Sequence, residues 1–95
     1  MPISDEIKKA LESKELIIGK EKSMEALKKG IVKKIIFANN CMQNVKDEII
    51  DLARINNCEF EEFNGTNMEL GILCKKPFSI SVIAIIKGEK SEDKA

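Results

Sequence analysis

Apolar residues recur along the chain at two alternating periods. Ile7, Ala10 and Leu11 fall at i, i+3 and i+4, one face of a helix. Ser4 is placed to cap it, with Asp5 and Glu6 in the first turn, where carboxylates suit the helix dipole. Leu16-Ile17-Ile18 then reads as a short strand stopped by Gly19. Met24, Ala26 and Leu27 mark a second helix, with Gly30 as its terminating glycine after Lys28 and Lys29. Ile35-Ile36-Phe37-Ala38 is a continuous apolar run, the pattern of a strand covered on both faces, and Asn39-Asn40 ends it. Val45, Ile49, Leu52 and Ala53 predict a third helix, broken at Asn56-Asn57. Cys58-Glu59-Phe60-Glu61 alternates, as a half-exposed strand does. Asn64-Gly65 is a turn. Thr66-Asn67-Met68-Glu69 fits a capping box, in which hydroxyl and carboxylate satisfy orphan amides reciprocally. It opens a fourth helix through Leu70 and Leu73, which Pro77 cannot continue. Ile80 to Ile86 is the last predicted strand.

Helix and strand therefore alternate four times. That order predicts an α/β domain with helices on both faces of one small sheet. Residues 1–87 form the expected domain, and 88–95 a polar tail expected to fray. Ninety-five residues leave room for one core, and 43% hydrophobic content is enough to build it.

Composition narrows the chemistry. There is no His, Trp or Tyr. Without His the commonest general base near neutral pH is missing, and so is the commonest metal ligand. Cys41, Cys58 and Cys74 are odd in number and widely spaced, which is neither a disulfide framework nor a zinc motif. Cys58 and Cys74 are expected to pack as small hydrophobes, and Cys41, in a polar stretch, to be partly exposed. No apolar run is long enough to cross a bilayer, and the N-terminus has no signal-peptide core, so a soluble cytoplasmic protein is expected. No enzyme, metal, cofactor or small-molecule substrate is expected.

Basic and acidic residues each number 16, so indiscriminate coating of polyanions is disfavoured and any anion binding must be local. From Lys20 to Lys34 there are six Lys against two Glu, a local excess of +4. This run reads either as a solvated helix face or as a side facing RNA or phosphate. Within it, Gly19-Lys20-Glu21-Lys22-Ser23 lies where a strand ends and a helix begins, so free amides there can meet an anion or a base. No phosphate-loop or dinucleotide glycine motif is present. Asn39 and Asn40 are ordinary strand-end residues that also carry donor and acceptor for a base edge. Lys75-Lys76-Pro77-Phe78-Ser79-Ile80 sets an aromatic ring beside lysines. Phe78 either plugs the end of the core or offers a surface for an unpaired base.

Three blocks of this sequence resemble the kink-turn RNA-binding superfamily of ribosomal proteins, in particular its archaeal and eukaryotic large-subunit branch. They are Leu16 to Gly30 with its glycine spacing, Lys34 to Asn40, and Phe63-Asn64-Gly65-Thr66-Asn67-Met68-Glu69-Leu70-Gly71 followed by Lys76 to Val82. The third is the most specific. The resemblance covers roughly Ile3 to Gly88. It implies a three-layer α-β-α sandwich around a four-stranded mixed sheet, gripping a sharply bent ribosomal RNA. The contacts it implies fall on Gly19, Lys20, Glu21, Lys22 and Ser23, on Asn39 and Asn40, and on Lys76, Pro77, Phe78, Ser79 and Ile80. Phe78 with Ile80 would form an apolar platform for an extruded base. Other ribosomal proteins are implied partners, with a monomer off the ribosome. Relatives often carry Asn-Glu where this chain has Glu21-Lys22, and Lys where it has Glu25. Glu25 is therefore expected to turn away from RNA or to pair with Lys28 or Lys29. Two alternatives share the fold: a kink-turn protein outside the ribosome, and a protein-interaction module.

Overall fold

A computed structural model describes residues 3–86. The 88–95 tail lies outside the described residues. Eight elements alternate as the apolar periods require: α1 (Ile3–Glu12), β1 (Leu16–Ile18), α2 (Lys20–Lys29), β2 (Val32–Phe37), α3 (Gln43–Ile55), β3 (Glu59–Glu62), α4 (Asn67–Leu73) and β4 (Val82–Ile86). Several predicted boundaries move: β2 starts at Val32 rather than Ile35 and ends at Phe37, and β3 spans Glu59–Glu62 rather than Cys58–Glu61. Ser4 lies inside the first turn of α1 rather than ahead of it. β4 starts at Val82, because the Ile80 amide is taken by the Asn67 carbonyl (3.0 Å) instead of by a neighbouring strand.

The four strands form one mixed sheet in the order β1-β4-β2-β3. β4 runs antiparallel to both β1 and β2, while β3 is parallel to β2. Strand periodicity then sorts the core into two halves. Ile36, Ile83 and Ile85 face one way, with Ile7 and Ala10 of α1 and Leu70 of α4. Ile35, Phe37, Val82 and Ala84 face the other, with Ala26 and Leu27 of α2 and Ile49 of α3. The result is a three-layer α-β-α sandwich. β4, and β2 from Ile35 to Phe37, are buried on both faces, which is why these stretches read as apolar runs, while Lys33 is exposed and Lys34 half-buried at the start of β2. Each fully buried isoleucine contributes about 1.5–3 kcal/mol relative to exposure.

The helix ends follow local chemistry. Gly30 is left-handed (φ 74°), and the amides of Gly30 and Ile31 return to the carbonyls of Leu27 and Ala26. That closes α2 with the geometry only glycine adopts without cost. Thr66 Oγ1 accepts from the Glu69 amide (3.3 Å) and Glu69 Oε1 accepts from the Thr66 amide (2.8 Å), completing the predicted capping box. Cys74 is buried as expected and Cys58 half-buried. Cys41 is buried too, contrary to its polar neighbours: the turn after β2 folds it onto the α2/α3 half of the core. Burial pushes the Cys41 and Cys74 thiols up, disfavouring the thiolate a reactive cysteine needs.

Candidate nucleic-acid interface

Because β4 lies between β1 and β2 and runs against both, one end of the sheet collects three chain segments: the exits of β1 and β2 and the entry to β4. Backbone hydrogen bonds lock them together. The Gly19 amide donates to Val82 O (3.0 Å) and the Ala38 amide to Ser81 O (2.8 Å). The Asn39 amide donates to Gly65 O (2.9 Å), and Lys46 Nζ donates to Asn39 O (3.3 Å) while lying 5.8 Å from the centre of the Phe37 ring.

Between the first and third segments runs an open groove of about 430 Å³. Gly19, Lys20 and Lys22 line one side, Lys76, Phe78 and Ser79 the other, and Ile18, Ile80 and Val82 contribute to its wall. Gly19 holds φ 111° and ψ 150°, a region essentially reserved for glycine. Space over it is open, so conformation and not crowding demands the glycine. The first intrahelical bond of α2 is donated by Ser23 to Gly19 O (3.1 Å). The amides of Lys20, Glu21 and Lys22 precede it and lie at the positive end of the helix dipole.

Among the described residues no carboxylate lines this groove. Lys20 pairs with Glu48 at 3.5 Å, both side chains being about half exposed, a contact of little strength that leaves the charge available. Among the described residues neither Lys22 nor Lys76 makes an ion pair. Phe78 is 56% exposed, so it does not plug the core.

Several expected contacts are redistributed. Ile80 is buried in the α1/α4 half of the core, so the apolar platform consists of Phe78 without it. Ser23 is fully buried and its Oγ has no hydrogen-bond partner among the described residues. It shares the inner face of α2 with Ala26 and Leu27 and presents nothing to a ligand. Glu21 and Pro77 are exposed on their segments but do not line the groove. Asn39 and Asn40 are exposed beside it. The lysine run is also divided. Lys34 leaves for Glu6 (2.9 Å) and Glu61 (3.1 Å), and the hydrogen bond it donates to Glu6 raises its pKa against the opposing effect of burial. Lys33 lines a separate cavity with Glu6, Lys9 and Glu15. Glu25 is exposed and forms no ion pair with Lys28 or Lys29. Lys46, which no sequence signal marked, and Asn67 and Gly71, which the sequence marked within the capping box and the third block but gave no role at the site, fasten the segments to one another.

Among the described residues no cluster of three or more His, Cys, Asp or Glu side chains could hold a metal. No described helix is long and apolar enough to cross a membrane.

The fold is shared with solved structures. A Bacillus halodurans protein of unknown function superposes with a TM-score of 0.79 at 20% identity, covering 92% of this chain and 86% of that one. A Giardia lamblia 15.5kD RNA binding protein gives 0.77 at 13% identity, covering 92% and 72%. By sequence, the large ribosomal subunit protein eL30 of Sulfurisphaera tokodaii is 40% identical over 81 residues, 85% of this chain and 76% of the relative. The eL30 of Methanosarcina mazei is 32% identical over 84 residues, 88% and 78% of the two chains. The model of the ribosomal protein L7Ae/L30e/S12e/Gadd45 family matches residues 1–95, and the chain belongs to that family.

Proposed function

We propose that this chain is a structural RNA-binding protein of the large ribosomal subunit that recognises a kink-turn in ribosomal RNA. One observation carries the reading. The three segments converge at one end of the sheet, where exposed Phe78, beside Lys76, stands across from Lys20 and Lys22 in a groove that no carboxylate of the described residues lines. The names of the eL30 relatives support the ribosomal assignment.

The chemistry is shape readout. A helix of RNA hides its major groove, so a protein recognises bent backbone and splayed bases. Lys20, Lys22 and Lys76 neutralise phosphates, and the first-turn amides of α2 meet acceptors at the bend. The Phe78 ring stacks on one unpaired base. Glu21, exposed at the start of α2, stands where relatives often carry Asn, so base-edge reading there differs from the family pattern. The protein acts in the cytoplasm as a ribosomal component, is monomeric before assembly, and catalyses no reaction.

The test is a pair of titrations at one salt concentration, with a kink-turn RNA and a straight duplex of equal length and composition. Much tighter binding to the bent RNA, together with co-sedimentation with large subunits, is the expected result. Equal affinities would reject the kink-turn, and absence from large subunits would reject the ribosomal assignment.

A further inference from the structure

Helix α4 stands behind two of the three segments and touches both. Asn67, its first residue, donates its main-chain amide to Asn40 Oδ1 (2.9 Å), and its Oδ1 accepts from Asn40 Nδ2 (3.2 Å). A main-chain N–H can only donate, which fixes the end of the Asn40 amide that faces it. The carbonyl of Asn67 accepts from the Ile80 amide at 3.0 Å. One residue thus grips the loop after β2 and the loop before β4. Both polar ends of the Asn40 side chain are occupied by this contact, whereas the Asn39 side chain makes no hydrogen bond among the described residues.

One turn further, α4 presses on the backbone of the Phe78 loop. A β-carbon added at Gly71 would collide with the carbonyl oxygen of Phe78 and lie 3.2 Å from its carbonyl carbon and 3.4 Å from Ser79 Cα. These are main-chain atoms, so no side-chain rotation relieves the collision. The contact is held from the other side as well, since the Lys76 amide donates to Gly71 O (3.0 Å).

Resting on the RNA-binding reading, we propose that Asn67 and Gly71 are positioning residues. Helix α4 sets the separation of the Asn40 and Phe78 loops, and so the place where the Phe78 ring meets an unpaired base. Neither residue needs to touch RNA. Asn40 then acts as a fastener, and base-edge contact falls to Asn39.

The chain has no Trp or Tyr, so Phe78→Trp installs a single indole on the loop. In RNA-free protein, adding Gly71→Ala is expected to shift the indole emission and its quenching by acrylamide. An unchanged spectrum overturns the proposal whatever RNA does. In titrations with a kink-turn RNA, Phe78→Ala is expected to weaken binding about 5- to 150-fold. Gly71→Ala should weaken it comparably, and the double variant no more than Phe78→Ala alone. Additive losses would mean that Gly71 acts elsewhere and also overturn the proposal. Should Gly71→Ala not fold, Asn67→Ala and Asn40→Ala serve instead. Each is expected to weaken binding, and the pair together no more than the stronger one. If the indole responds but Phe78→Ala binds RNA normally, the RNA-binding reading itself fails, and the claim made for α4 on RNA goes with it.

Discussion

The two ends of the sheet are built from the same kinds of residue and differ in how their charges are answered. At one end, Glu6, Lys9, Ser13, Glu15 and Lys33 surround a cavity of about 220 Å³, two carboxylates facing two lysines. At the other, Lys20, Lys22 and Lys76 stand around a larger groove that no carboxylate among the described residues lines. Carboxylates in the lining of the first cavity offset the field of its lysines, whereas the groove lysines have only the half-exposed Glu48, paired with Lys20, as counter-charge and keep a local potential inside a neutral protein. Net charge and even local charge runs therefore understate the asymmetry. Strand order creates it, by sending Lys20 and Lys22 to one end and Lys33 to the other.

The comparison can be broken most sharply by removing lysines from each end. Replacing Lys20, Lys22 and Lys76 together by Ala is expected to lower the slope of log affinity against log salt by about three units if each contacts a phosphate. Replacing Lys9 and Lys33 should leave slope and affinity for the same RNA unchanged. The single Lys22→Ala variant should lower the slope by about one unit.

Phe78→Ala separates aromatic stacking from charge. A loss of about 1–3 kcal/mol is expected in titration with kink-turn RNA, with the salt slope retained. Ile72→Ala is the control, because Ile72 is 71% exposed but does not line the groove. It should bind as the parent does.

Thr66→Ala tests how far the groove end depends on α4. Loss of the capping box is expected to cost about 1 kcal/mol of stability, read from denaturant midpoints. The smallest effect concerns Lys34, which lies on neither side of the comparison. Its pKa is raised, first by the hydrogen bond it donates to Glu6 and further by Glu61. A lysine whose folded-state pKa is raised stabilises the fold fully below pH 10.5 and loses that contribution as pH rises through the folded-state value. The parent should therefore lose stability in that alkaline window more steeply than Lys34→Met, while RNA affinity at neutral pH is alike in both.

The eight elements were legible because each is specified locally. β2 and β4 carry the apolar runs that two-sided burial demands, Gly30 terminates α2, and Thr66 with Glu69 announces α4. The burial of Ser23 was legible too, since it falls at i, i+3 and i+4 with Ala26 and Leu27, yet its place in a lysine-rich segment suggested an outer role. Ile80 reads as strand by its neighbours, and only the Asn67 carbonyl, distant in sequence, removes it from the ladder. The partners of Lys34 and the burial of Cys41 are likewise tertiary facts that no window of a few residues contains. The groove segments could be picked out one by one; their shared end follows from β4 running against both its neighbours.

The most direct test maps backbone amide shifts by NMR during titration with a kink-turn RNA. The largest changes should fall on the amides of Gly19 to Lys22, of Asn39 and Asn40, and of Lys76, Phe78 and Ser79, with Lys9, Ser13 and Lys33 unmoved. Changes centred on the Lys9 and Lys33 end, or spread evenly over both ends, would contradict the account.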